Sequence, residues 1–118
     1  MKSDANLEAN RAMWNERVPI HLDSDLYDVA GFIEGSSRLC DFEPLELGPT
    51  EGCSLLHLQC HFGLDTLSWA RTGAIVTGID FSEPAIRAAR DLAATIGADA
   101  RFECLEVHDA ATALDRRF

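Results

Sequence analysis

Residues Leu55–Asp80 read LLHLQCHFGLDTLSWARTGAIVTGID, and they predict a strand, a turn, a helix and a second strand. The first strand is the apolar run Leu55–Gln59, which is typical of a sheet buried on both faces. A tight turn at Gly63 leads into the helix, and the β-branched run Ala74–Ile79 supplies the second strand. Because a helical crossover joins the two strands, we expect them to be parallel.

An acid follows the second predicted strand directly. Asp80 stands at its carboxyl end, and Ser82 is a plausible cap for the next helix. An acid at this position can accept hydrogen bonds from both hydroxyls of a ribose, while the first turn holds the rest of a nucleoside cofactor. A solvated loop acid is the alternative, and the flanking strand and cap favour the ribose role.

The first turn contains a single glycine, Gly63. A dinucleotide needs several, because its pyrophosphate presses against the backbone and the helix N-terminus. Gln59 and His61 would crowd a pyrophosphate, and the turn has no lysine to bind one. S-adenosylmethionine carries a sulfonium and an amino acid in place of phosphates, so it tolerates fewer glycines. The turn therefore suits S-adenosylmethionine better than a nicotinamide dinucleotide, which stays the alternative.

The segment LLHLQCHFG, Leu55–Gly63, resembles the first motif of the class I, Rossmann-like S-adenosylmethionine-dependent methyltransferases, which usually reads like VLDLGCGTG. Gly63 matches the last glycine, whereas Gln59 and His61 replace two others. His57 stands where the family usually has an acid. The chain is also similar to a bacterial subgroup whose first motif reads HLQCHFGLDTLSWAR, and the resemblance covers nearly the whole chain.

The resemblance implies an α/β fold, namely the N-terminal half of a Rossmann-like methyltransferase sheet preceded by two helices. Its parallel strands are expected in the order 3-2-1. The predicted strands are 55–59, 75–79 and 101–106, and the helices between them lie near 65–72 and 83–96.

The resemblance also implies a division of the chain. Residues 1–50 would form an N-terminal helical lid or connector, and residues 51–118 would form part of an S-adenosylmethionine-binding domain. Arg117 and Phe118 resemble the start of strand 4, so we expect a fragment truncated there. Strand 1 would then be an open apolar edge, through which the chain could associate with itself.

Six cofactor-binding residues are predicted: the resemblance places Gly63, Asp80, Phe81 and Glu106, and Gln59 and His61 are candidates from the first turn. Gly63 lets the cofactor approach the backbone, and Asp80 binds the ribose hydroxyls. Phe81 packs on the adenine face, and Glu106 accepts from the adenine amino group. The alternatives are a partly buried Phe81 and a surface Glu106. Any catalytic base is expected beyond strand 4, so no catalytic residue is named.

Two helices are predicted before this unit. Residues 4–17 are good helix formers followed by Pro19, and Ser24 is a plausible N-cap for Asp25–Glu34, which Gly35 ends. The resemblance suggests four candidates for a lid over the cofactor: Trp14, Arg17, His21 and Tyr27. Packing of the two aromatic residues on the sheet and solvation of the arginine are the alternatives.

A zinc site is not predicted. Cys53, His57, Cys60 and His61 have the spacing C-x3-H-x2-C-H, which is not a standard finger or ribbon pattern. Alternation along a strand puts His57 and Cys60 on opposite faces. His57 is therefore expected to be a packed, hydrogen-bonded strand histidine. The four cysteines form no C-x-x-C pair, and reduced thiols are expected.

Composition narrows the possible functions. The 118 residues suffice for one small domain, and their net charge of −10 is spread along the chain. Such a surface repels nucleic-acid backbones, so no nucleic-acid partner is expected. No apolar run is long enough for a membrane span, and the N-terminus lacks the features of a signal peptide. A cytoplasmic protein is the default prediction.

The sequence thus predicts methyl transfer from S-adenosylmethionine to an unidentified acceptor, with a small molecule expected. The predicted fragment would be inactive alone. Two alternatives stay open: part of a nicotinamide-dependent oxidoreductase, or a non-catalytic module that binds a nucleoside or a protein.

Overall fold

The structure is a computed structural model that describes residues 2–23, 28–35, 48–114 and 118. Its elements are, in chain order, α1 Lys2–Leu22, α2 Val29–Glu34, β1 Ser54–Leu58, α3 Leu64–Arg71, β2 Ile75–Asp80, α4 Glu83–Ile96, β3 Arg101–Cys104, a 3₁₀ turn Val107–Asp109 and α5 Ala110–Leu114. No helix in this described part is both long enough and apolar enough to cross a membrane.

The three strands form one parallel sheet in the order β1-β2-β3, which confirms the predicted 3-2-1 order. At their carboxyl ends Leu58 pairs with Ile79, and Asp80 pairs with Cys104. The turn after β1, the acid that ends β2 and the segment after β3 therefore meet at the same edge of the sheet.

Each predicted strand has slightly different ends in the structure. β1 stops at Leu58 because Gln59 adopts a positive φ of 56°, which a strand residue does not. β2 continues through Asp80. β3 ends at Cys104, and the amide of Leu105 still donates to the Asp80 carbonyl oxygen at 2.9 Å before the chain turns away.

The crossover helix α4 covers one face of the sheet with an apolar stripe at helical spacing. Ile86, Ala89 and Ala93 are buried in the main core, together with Phe102 of β3. The hydroxyl of Ser82 caps the helix by accepting from the Ala85 amide at 3.3 Å. These contacts fix the start of α4 beside the end of β2.

α1 runs through Pro19 to Leu22, so the prediction that this helix ends at residue 17 is wrong. A proline inside a helix lacks one hydrogen bond and crowds the preceding turn, at a cost of about 3 kcal/mol. Tertiary packing offsets that cost, because Val18 is buried and Leu22 packs against the main core. The Asp23 amide closes the last turn on the Pro19 carbonyl oxygen.

The helix predicted over Asp25–Glu34 is wrong at Asp28, which is not helical, and residues 25–27 lie outside the described residues. Asp28 is the N-cap of α2, with φ 43°, and its Oδ1 accepts from the Gly31 amide at 3.2 Å. A residue in the left-handed region interrupts a helix, so α2 begins at Val29. Ser24, Tyr27 and Arg117, for which the sequence gives predictions, lie outside the described residues, as does the fourth cysteine, Cys40.

Candidate functional site

A cavity of about 520 Å³ lies at the carboxyl edge of the sheet, underneath α1. Its volume is within the usual range for small-molecule sites. The lining residues come from α1, from the turn after β1 and from the segments after β2 and β3: Leu7, Asn10, Trp14, Val18, Gln59, His61, Asp80, Phe81, Ser82, Leu105, Glu106, Val107 and His108. Five of the six residues predicted to bind a cofactor line this cavity.

Asp80 holds two of the cavity walls together. Its Oδ2 accepts from the His61 amide at 2.9 Å, and its Oδ1 accepts from the Ser82 amide at 2.9 Å. The side chain is 8% exposed. Each carboxylate oxygen has two lone pairs, so each retains capacity for another donor from the cavity. Asp80 therefore ties the first turn to the start of α4 and still presents acceptors.

Two residues of the first turn adopt left-handed backbone conformations that are typical of glycine, although neither is a glycine. Gln59 and His61 both have φ 56°, in the left-handed region that side chains disfavour. These are the two positions where the resembling motif has glycine. The turn is fixed by the Cys60 amide, which donates to the Ile79 carbonyl oxygen at 2.8 Å.

Gly63 lies outside the lining of the main cavity and borders a smaller one of about 270 Å³. Its φ is 85°. A Cβ on Gly63 would come within 2.9 Å of the Phe102 ring and 3.1 Å of the Ala89 side chain. The glycine is therefore required for packing of the turn against β3 and α4. Its predicted role of letting a cofactor approach stays a prediction.

Glu106 and Phe81 are both held by a residue that the sequence did not single out. Arg11 of α1 donates from Nη2 to Glu106 Oε1 at 3.0 Å and from Nε to the Phe81 carbonyl oxygen at 3.2 Å. Its guanidinium also lies 5.5 Å from the centre of the Phe81 ring. Arg11 and Glu106 are far apart in the sequence, so no local pattern could have revealed this ion pair.

α1 is attached to the other walls at two more points. Ser82 donates to Asn15 Oδ1 at 2.6 Å, which links the middle of α1 to the start of α4. His21 Nδ1 and His61 Nε2 are 3.2 Å apart and share a hydrogen bond. Trp14 contacts the rings of both histidines edge-on. One face of α1 thus lines the cavity from Leu7 to Val18.

Two of the four lid candidates take part in this contact. Trp14 lines the cavity and His21 bonds to the turn. Arg17 is exposed on α1, with its guanidinium 5.6 Å from the centre of the Trp14 ring. The helical spacing of Arg11, Trp14 and Val18 could have indicated the shared face, since residues three and four apart lie on one side of a helix.

Burial determines the protonation of two groups in the turn. It lowers the pKa of His61, and His21 lowers it further, whereas the charge of Asp80 opposes the shift. Burial, helped by Asp80, raises the pKa of the Cys60 thiol to about 12. At neutral pH this buried thiol is protonated, so it is a core side chain and not a nucleophile.

His57 is hydrogen-bonded, with its Nδ1 2.6 Å from Thr66 Oγ1 of α3, which confirms the prediction for this residue. Among the described residues no group of three or more His, Cys, Asp or Glu side chains could hold a metal ion. Cys53, Cys60 and Cys104 are free thiols.

No protein-family model and no curated protein matches the chain. Several solved structures match the chain. The [4+2]-cyclase SpnF is 26% identical over 80% of this chain and 40% of its own, with a TM-score of 0.58. The bifunctional kinase-methyltransferase WbdD is 28% identical over 73% of this chain and 18% of its own, with a TM-score of 0.51.

A third match is a protein from echinomycin biosynthesis, studied in the conversion of a disulfide bond into a thioacetal group. It is 33% identical over 64% of this chain and 30% of its own, with a TM-score of 0.50. The matched part of this chain thus spans between 18% and 40% of the length of these three proteins. The α/β architecture and these matches define a methyltransferase-like, Rossmann-like fold.

Proposed function

We propose that the protein binds S-adenosylmethionine in the cavity beneath α1 and transfers its methyl group to a small molecule. The position of Asp80 carries this proposal, because an acid at the carboxyl end of the second strand is where a Rossmann-like fold binds a ribose. The methyltransferase-like fold supports the choice of cofactor. Residues 1–50 would supply the lid and residues 51–118 part of the cofactor domain.

The residues present fit this cofactor. Asp80 retains acceptor capacity for the ribose hydroxyls, and Glu106 presents a carboxylate on the same cavity. The turn after β1 contains no lysine and carries side chains at Gln59 and His61, which suits a ligand without phosphates better than a dinucleotide. This argues against the nicotinamide alternative.

When bound, S-adenosylmethionine would supply a methyl carbon already activated by its sulfonium. The residues of this chain would bind and orient the nucleoside, and α1 would exclude water from it. Leu7, Trp14 and Val18 give the α1 wall an apolar surface. A small acceptor fits this setting better than a nucleic acid, since the net charge of −10 repels phosphates.

Substitution of Asp80 tests the proposal. Calorimetric titration of the full-length protein with S-adenosylmethionine should show that Asp80→Ala weakens binding by about 1.5–3 kcal/mol, the usual loss for a hydrogen bond to a charged group. Asp80→Asn keeps the side-chain shape but has a single oxygen acceptor, so it can retain only one of the two contacts to the His61 and Ser82 amides, and thermal unfolding checks that both variants are folded. Asp91→Ala, on the exposed face of α4, is the matched control. Unchanged affinity in folded Asp80 variants contradicts the proposal.

A further inference from the structure

Arg11 joins the two residues that flank the proposed adenine position. Its Nη2 donates to Glu106 Oε1 at 3.0 Å, and its Nε donates to the Phe81 carbonyl oxygen at 3.2 Å. Its Nη1 pairs with Glu8, one turn earlier on α1. All three guanidinium nitrogens are engaged, so this planar group is held in one orientation.

The pair between Arg11 and Glu106 is partly shielded from solvent. The two side chains are 25% and 31% exposed, and the guanidinium is within cation–π distance of the Phe81 ring. Partly buried charges are screened less than fully exposed ones. The orientation that Arg11 imposes on Glu106 is therefore expected to persist at physiological ionic strength.

This contact determines how Glu106 faces a ligand. Arg11 takes Oε1, and within the described part of the chain no protein group donates to Oε2. An ionised carboxylate is an acceptor only, so Oε2 can bind only a donor. Glu106 and Phe81 both line the cavity and both contact Arg11, so this part of the cavity presents a carboxylate acceptor held by Arg11 beside an aromatic side chain.

We propose that Arg11 is a positioning residue that makes this site select a 6-aminopurine nucleoside over a 6-oxopurine nucleoside. The inference rests on the proposed function, since it assumes that the purine 6-position lies at Glu106. An exocyclic amine donates to the aligned oxygen. A carbonyl at the same position is an acceptor, so it cannot donate to the carboxylate and leaves Oε2 without a hydrogen bond from the ligand. The site should therefore bind a 6-oxopurine more weakly.

Two ligands that differ at the purine 6-position test this selectivity. Calorimetry on the full-length protein compares S-adenosylhomocysteine with S-inosylhomocysteine, and we expect the wild type to bind the first at least about 10-fold more tightly. Arg11→Met keeps an apolar stem and removes every hydrogen-bond donor, so the ratio of the two ligands' affinities should fall to about 2-fold or less. Arg11→Lys keeps the charge without the planar fork and should give an intermediate ratio.

Arg17→Met is the matched control, because Arg17 is also an arginine of α1 and lies against the Trp14 ring instead. It should leave the ratio unchanged. A purely structural Arg11 would weaken both ligands equally, so an unchanged ratio in folded Arg11→Met overturns the inference. Tighter binding of S-adenosylhomocysteine to this variant also overturns it, since Arg11 would then compete with the ligand.

The two possible failures are distinguishable. A folded wild type that binds neither ligand contradicts the proposed function itself. A wild type that binds both equally contradicts the selectivity alone. Thermal unfolding of each variant checks that it is folded, and Arg11→Lys serves as the test if Arg11→Met does not fold.

Discussion

Gln59 and His61 hold a turn conformation that ordinarily requires glycine. Both have φ 56°, which costs a residue with a side chain about 1–2 kcal/mol relative to right-handed backbone. Such a cost persists only where the surroundings impose it, and it often marks a functional site. Here the Asp80 carboxylate binds the His61 amide and the Ile79 carbonyl oxygen binds the Cys60 amide. The neighbouring strand thus imposes the turn.

Relief of this strain is measurable. Gln59→Gly should raise the free energy of unfolding by about 0.5–1 kcal/mol, because glycine removes the left-handed penalty but loses more chain entropy on folding. Gln59→Ala is the control, since alanine keeps the Cβ and therefore the strain. Urea unfolding with unchanged m-values gives the comparison. A glycine variant less stable than the alanine variant contradicts the proposed strain.

At the scale of elements, α1 is the wall that makes the cavity. Arg11, Asn15 and His21 lie along one face of the helix and contact three different segments of the α/β unit. Val18, which lies between Asn15 and His21 in the sequence, is buried. The helix therefore spans from the segment after β3 to the first turn, and it forms one wall of the cavity.

The burial of His61 predicts a pH dependence of stability. The folded protein holds the pKa of His61 below its ordinary value of 6.5, mainly by burial. The unfolded chain therefore binds a proton more readily than the folded one. The contribution of His61 to the free energy of unfolding is complete above about pH 6.5. This contribution is lost as the pH falls toward the lower pKa of the folded state.

Urea unfolding between pH 8 and pH 5 measures this effect. Stability of the wild type should fall more steeply toward low pH than that of His61→Gln, which has no imidazole to titrate. His108→Gln replaces an exposed histidine and is the control. Parallel pH profiles for the wild type and His61→Gln are incompatible with the assigned shift.

Much of the fold follows from local sequence signals, and the site follows only partly. Strand runs, the Ser82 cap and the apolar stripe of α4 are local, so the parallel order of the strands could be predicted. α1 passes Pro19 because of tertiary packing that no local signal reports. The pairing of Arg11 with Glu106 also depends on the folded chain, which is why the sequence missed it.

At the scale of the whole molecule, β1 has one partner strand, β2, among the described residues. An open apolar edge favours strand pairing between molecules, and lysine on such an edge suppresses it. We expect the 118-residue chain to associate with itself as its concentration rises. Leu58→Lys should shift it toward the monomer, whereas Ile20→Lys, at an exposed apolar position of α1, should not. Light scattering after size-exclusion chromatography tests this, and a wild type that stays monomeric contradicts it.

A crystal structure of the full-length protein with S-adenosylhomocysteine tests the central claim most directly. The account predicts the nucleoside in the cavity beneath α1, with both ribose hydroxyls within hydrogen-bonding distance of the Asp80 carboxylate. It also predicts the purine beside Phe81, with its amino group on Glu106. A nucleoside bound elsewhere, or a ribose that does not contact Asp80, would contradict the account.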